Sequence, residues 1–171
     1  MKTSALVSVD EYLSTTYRPD CDYIEGELIE RNVGRKDHGK LQRELLAWFR
    51  DRRSEFRVIE FPEQRIQVAS RRYRIPDVCV VPMPEPDEQV FTTPPYICIE
   101  VLSPEDTLHS LQKRLDDYIA MGVPNIWVLD PESRRGWTIT REGHLEALDG
   151  ALRTSDGRVT LTMSDLFQPV I

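Results

Sequence analysis

Cysteine is scarce: Cys21, Cys79 and Cys98 are the only three in 171 residues, with no Cys-x-x-Cys pair and no histidine grouped with them. That excludes a disulfide framework or a zinc cluster as the organising principle. Cys79 and Cys98 sit in apolar runs and read as small core residues. Long apolar runs are also missing. The longest, such as residues 78–81, are strand-length, far short of the ~20 residues a membrane span needs. Met1-Lys2-Thr3-Ser4-Ala5-Leu6 lacks the apolar core of a signal peptide, so the expected location is the cytoplasm. Excess positive charge is absent too. Lys and Arg number 22 against 29 Asp and Glu, a net charge of −7, whereas proteins that hold duplex DNA unaided show a basic footprint. The chain has no GxGxxG, P-loop, GxSxG or HExxH pattern, which removes the commonest nucleotide-binding, serine-hydrolase and zinc-peptidase classes.

What is present is an ordinary globular mixture, 40% hydrophobic and 30% charged. The length favours one domain over residues 1–171 with a sizeable core. Ser8-Val9-Asp10-Glu11 is a capping-box pattern and predicts a short helix from Val9. Residues 23–31 read as strand, with Glu25-Gly26 as a turn or bulge, and residues 34–39 as a loop that places His38 just before a helix. Leu41, Leu45, Leu46, Trp48 and Phe49 then recur at helical spacing to about Arg52. Residues 56–61 and 64–69 read as two strands around Pro62.

Residues 74–81 and 96–102 are the two most apolar strand candidates. They lack strict alternation, as central strands covered on both faces do. Ser103-Pro104-Glu105-Asp106 is expected to open a helix, with serine as cap, proline first, and acids at the positive end. Leu108, Leu111, Leu115, Tyr118 and Ile119 line its apolar face, and Gly122 and Pro124 stop it. Strands follow at 125–129, 136–140, 144–148 and 158–161, and Ser164 is read as the cap of a last short helix. The expected class is α/β: a mixed sheet flanked by helices, with C-terminal β-hairpins. Those exposed hairpins, and the strand bearing Trp137, predict a homodimer.

Two acids fall at the ends of the buried strands: Asp77 after Pro76, and Glu100 within Ile97-Cys98-Ile99-Glu100-Val101. A carboxylate inside an apolar strand is costly unless it meets a cation or hydrogen-bond donors. Magnesium suits such a pair, since it binds through one or two carboxylates plus waters and phosphate. The plainer reading makes Asp77 a turn acid and pairs Glu100 with an arginine such as Arg65 or Arg114. The arginines cluster at Arg50/Arg52/Arg53, Arg71/Arg72/Arg74 and Arg134/Arg135, as either solvated surface or a phosphate track. His109 and His144 read as surface residues. Trp48, Trp127 and Trp137 read as packing rather than base-stacking platforms, for none alternates with basic residues.

The ordered set of motifs is more specific than any one of them. Arg74-Ile75-Pro76-Asp77-Val78, Ile99-Glu100-Val101-Leu102-Ser103-Pro104, Asp116-Asp117-Tyr118, Gly122-Val123-Pro124 and Trp127-Val128-Leu129-Asp130-Pro131 follow Gly26-Glu27-Leu28 and His38. In order and spacing the chain resembles the Uma-two family of bacterial endonucleases, a branch of the PD-(D/E)XK superfamily. The resemblance implies a restriction-endonuclease-like fold and hydrolysis of nucleic acid, DNA before RNA, dependent on Mg²⁺ or Mn²⁺. It matches Asp77 and Glu100 to the metal-binding acids and Glu27 to an N-terminal acid near the same site. It also gives His38, which on the residues alone reads as a surface residue near a helix start, a role in polarising water or touching phosphate. The superfamily pattern asks for lysine two residues after the second acid, where this chain has Leu102. In the Uma-two family a lysine on the following helix takes its place. The chain offers Lys113 and Arg114, and register against Leu115 and Tyr118 favours Arg114 in the site and Lys113 on the surface. Arginine can neutralise a charged phosphate but stays protonated and cannot act as a base.

Overall fold

The computed structural model describes residues 6–32 and 34–168. In chain order the elements begin with α1 (Val9–Ser14), β1 (Cys21–Ile24), β2 (Glu27–Glu30), α2 (Lys36–Asp51) and α3 (Arg53–Phe56). Strands β3 (Val58–Pro62), β4 (Ile66–Ala69), β5 (Arg72–Arg74), β6 (Val78–Pro82) and β7 (Ile97–Val101) come next, then α4 (Leu108–Met121). The chain continues through β8 (Asn125–Asp130), β9 (Arg135–Thr140), β10 (Gly143–Glu146), β11 (Ala151–Arg153) and β12 (Thr160–Thr162) to α5 (Met163–Leu166). No helix among the described residues is long and apolar enough to cross a membrane.

A six-stranded sheet runs in the order β10-β9-β8-β7-β6-β3. It is antiparallel except between β7 and β8, which are parallel and joined through α4, as a parallel pair requires a crossover. Alternation divides its central strands between two cores. Val78, Val80, Ile97, Ile99 and Val101 pack with Leu41, Leu45, Trp48 and Phe49 of α2. Cys79, Val81 and Cys98 pack with Leu111, Leu115 and Tyr118 of α4. Both faces are dry, which is why these strands read as continuous apolar runs. The hairpins β9–β10 and β11–β12 close the C-terminal third.

A second sheet, β2-β1-β5-β4, carries the N-terminal hairpin. Its turn is Glu25-Gly26, with φ of 51° and 100°, the left-handed pair that a two-residue hairpin turn demands. Tyr12, Tyr23 and Tyr73 form its small aromatic core. A buried ion network fastens this sheet to α4. Arg74 Nη1 donates to Asp22 at 2.9 Å and Nε to Asp117 at 2.7 Å, and Arg72 reaches Asp117 at 2.7 Å.

Several local expectations are corrected. At Glu25-Gly26 the turn forms and not the bulge, so residues 23–30 lie in a two-stranded hairpin and not in one continuous strand. Residues 74–81 divide between the two sheets, because Pro76 has no N–H for a ladder. Helix α2 starts at Lys36, so His38 lies in its first turn rather than before it. Ser103–Asp106 is a turn, in which Asp106 Oδ2 accepts from the Ser103 N–H at 3.0 Å. Helix α4 begins later, where Thr107 and Ser110 form a reciprocal capping box. Thr162, not Ser164, caps α5, and strand β11 has no counterpart among the expected elements.

Arg74→Met is expected to destabilise the fold by about 3–5 kcal/mol, because it leaves buried carboxylates without their main cation. Urea denaturation monitored by circular dichroism measures the loss.

Candidate functional site

The break at Pro76 puts Asp77 at the joint between the two sheets, immediately before β6. Val78 pairs with Ile99 in the antiparallel β6–β7 ladder, and one further step along that register sets Asp77 opposite Glu100. Opposite residues share a face. Here it is the α4 face, the side to which Cys79 and Cys98 also point. Asp77 is 3% exposed and Glu100 1%. Both line a cleft of about 470 Å³ bounded by β2, α2, α4 and the turn after β7.

Each carboxylate has its own set of donors. Asp77 Oδ1 accepts from Arg31 Nη2 at 2.6 Å. Its Oδ2 accepts from the Val101 N–H at 2.7 Å and lies 3.3 Å from His38 Nε2. Gln42 Nε2 donates to the Asp77 carbonyl at 2.9 Å, tying the joint to α2. Burial pushes the Asp77 pKa up, but the contact with His38, the Arg31 charge and the Val101 N–H outweigh it and hold the carboxyl below its ordinary value. The same contact raises the His38 imidazole against the opposing effect of burial.

Glu100 is placed differently. Tyr118 Oη donates to Oε1 at 2.5 Å, and Arg114 Nε stands 3.2 Å from Oε2. That Nε–H has no aligned acceptor among the described residues, so the pair is close in charge but incomplete as a hydrogen bond. Arg114 Nη2 instead donates to Asp106 Oδ1 at 2.9 Å. Burial pushes the Glu100 pKa up to about 7; Arg114 opposes the rise and Asp77 adds to it. The two acids are thus driven apart in acidity, with Asp77 ionised and Glu100 poised near neutrality.

Of the residues singled out in the sequence, Asp77, Glu100, Arg114 and His38 come together. Glu27 and Lys113 line the same cleft but are exposed at its rim. The contact with Glu100 falls to Arg114, and Arg65 lies elsewhere, against Asp20 at 3.3 Å. Three further participants escaped the sequence reading: Arg31, Asp106 and Tyr118. Tyr118 had a usable signal, since it follows Arg114 by four residues on one helical face. Arg31 had none. In each arginine cluster some side chains are engaged within the chain, while Arg50, Arg71 and Arg135 stay largely exposed. Arg52 stacks on Trp48, Arg53 forks onto Glu60, Arg72 and Arg74 hold Asp117, and Arg135 meets Glu146.

The raised pKa carries a stability consequence with a definite sign. Folding favours the protonated form of Glu100, so its contribution is full below about 4.5 and is lost as pH rises toward about 7. Wild type is expected to lose stability relative to Glu100→Gln across that window and not above it, measured by urea unfolding at pH 5 and pH 8. Carbon-13 NMR titration of the Glu100 carboxyl should give a midpoint near 7; an ordinary glutamate midpoint would refute the assignment.

Comparison with known proteins agrees with this architecture. The family model for Uma2, described as "Putative restriction endonuclease", matches residues 9–167. The chain is similar to the crystal structure of a putative nuclease belonging to DUF820 from Anabaena variabilis ATCC 29413. The TM-score is 0.79 at 21% identity, over 94% of this chain and 97% of that one. At that identity the likeness establishes the fold alone. No curated protein matches the chain. The family match runs through both sheets, the Pro76-Asp77 joint and α4, and the chain belongs to the Uma2 family of restriction-endonuclease-like nucleases.

Proposed function

We propose that the protein is a Mg²⁺- or Mn²⁺-dependent endonuclease that hydrolyses a phosphodiester bond of nucleic acid, DNA in the first instance, in the cytoplasm. The observation that carries this reading is the buried Asp77–Glu100 pair on neighbouring strands, open to a cleft. Two oxygen ligands of this kind fit a hard divalent ion that completes its shell with water and phosphate. Among the described residues no group of three or more His, Cys, Asp or Glu side chains is disposed to hold a metal, so the fit is to magnesium-like binding and not to a closed protein cage. The cleft wall supports the same reading, because carboxylates outnumber lysines and arginines in it. A phosphodiester entering there needs an added cation to offset repulsion.

When bound, such an ion supplies polarisation of a phosphoryl oxygen and activation of water. Water adds to phosphorus, one P–O ester bond breaks, and the leaving oxygen takes a proton. Asp77 and Glu100 serve as ligands. Arg114 stays charged, because the attraction of Glu100 and Asp106 outweighs burial, and neutralises charge gathering on the phosphate. His38, beside Asp77, holds or passes a proton, and Gly34 leaves room for its ring: a Cβ there would lie 2.8 Å from Nδ1. Glu27 and Lys113 act from the rim, Lys113 being the alternative to Arg114 for phosphate contact.

A second reading is a nuclease-fold domain that has ceased to cut and binds nucleic acid or a protein partner. It is favoured by the pairing of both acids with Arg31 and Arg114.

Calorimetric titration of Mg²⁺ and Mn²⁺ into wild type and the Asp77→Ala/Glu100→Ala double variant, with plasmid nicking on the same samples, separates the two. The metal nuclease predicts binding and nicking in wild type and loss of both in the variant. Binding without cleavage of any nucleic acid favours the second reading, and no binding at all overturns the metal site. A homodimer belongs to the same proposal. Among the described residues strand β10 is an edge of the large sheet, with Leu145 exposed on it and Leu148 exposed just beyond. Sedimentation velocity is expected to show twice the chain mass, reverting to one on Leu145→Lys.

A further inference from the structure

The cleft contains a cation for which the nuclease chemistry has no use. Arg31 follows directly after β2, and its backbone N–H donates to the Asp20 carbonyl at 2.9 Å, so its root is fixed. Its side chain is 18% exposed and delivers Nη2 to Asp77 Oδ1 at 2.6 Å. The other terminal nitrogen, Nη1, is buried with no hydrogen-bond acceptor among the described residues. A buried donor without an acceptor carries a desolvation penalty. The guanidinium is therefore held by the charge of the acids rather than by a complete set of hydrogen bonds.

Arg114, whose Nε–H also lacks an aligned acceptor among the described residues, is nonetheless anchored by two acids. Its head is shared between Glu100 and Asp106, and it belongs to a capped helix. Arg31 stands outside regular structure, next to exposed Asn32. Asp77 also does not depend on Arg31 alone, because Val101 N–H and His38 serve its second oxygen.

We infer that Arg31 is the built-in counter-cation of the acid pair. It fills the charge position beside Asp77 that a divalent ion would take, and the ion enters only by displacing the guanidinium. This rests on the metal-site reading of Asp77 and Glu100. It makes Arg31 a positioning residue: it lets two carboxylates fold side by side without metal, and it sets metal affinity by competition. Removal of its charge strengthens metal binding while weakening the metal-free fold. A residue of merely structural value would lower both.

The test is calorimetric titration of Mn²⁺ into wild type, Arg31→Met and Arg31→Gln, with thermal unfolding of each in EDTA and in Mn²⁺. The expected result is at least about tenfold tighter Mn²⁺ binding in both variants, lost again when Asp77→Asn is added. Both variants should melt below wild type in EDTA and gain more than wild type from Mn²⁺. Equal affinity in wild type and the variants overturns the competition and leaves the metal site standing. Weaker binding in the variants also overturns it and makes Arg31 a support for the ion. Absence of binding in all three, with native circular dichroism, removes the metal site and the inference together. Arg31→Gln, which keeps a donor for Asp77, covers the case in which Arg31→Met does not fold.

Discussion

Two carboxylates lie opposite one another on adjacent strands, almost sealed from water, and much of the surrounding structure answers their charge. Neither Asp77 nor Glu100 is tolerable there alone. Arg31, His38 and the Val101 N–H meet the first; Arg114 and Tyr118 meet the second. The two sets differ in quality, and the difference shows in the chemistry. Asp77 is held ionised, while Glu100 is pushed toward neutrality by burial and by its neighbour. Two acids whose pKa values are pushed in opposite directions give the site an asymmetry that acid–base chemistry exploits.

The scaffold serves this arrangement at a distance. Pro76 ends the ladder of one sheet and starts another, so the residue after it sits at a joint with its side chain free to face the cleft. The crossover through α4 brings Arg114 and Tyr118 over β7, where Glu100 lies. The smaller sheet supplies Arg31 from the end of β2, and the Asp22–Arg74–Asp117 network holds that sheet against α4. Loss of the network would loosen the wall that carries Arg31 without touching either acid.

How much of this was legible depended on whether the information was local. The central strands and the amphipathic helices showed in apolar spacing, because burial on one or both faces leaves its mark on consecutive residues. Asp77 and Glu100 stood out as polar interruptions of apolar runs, and register on α4 singled out Arg114 over Lys113, in keeping with its contact to Glu100. The start of α4 differs from the expected one because Ser103-Pro104-Glu105-Asp106 and Thr107-Ser110 are competing caps, and only the reciprocal hydrogen bonds favour the second. Arg31 left no trace: an arginine after an exposed edge strand looks like any solvated residue until the fold turns it inward.

The alternation of buried strands and helices, the family, and the two acids at the strand ends can all be read along the chain. Each of these is written in neighbouring residues through hydrophobic period and motif order. Which cations meet those acids, and how completely, is fixed by the assembled fold. Arg31 and Asp77 are 46 residues apart in the chain, and the charge balance of the cleft is a sum over side chains delivered by different elements. Electrostatic environment belongs to that assembled volume and not to any segment, which is why Glu100 is poised near neutrality here and would not be in the isolated strand.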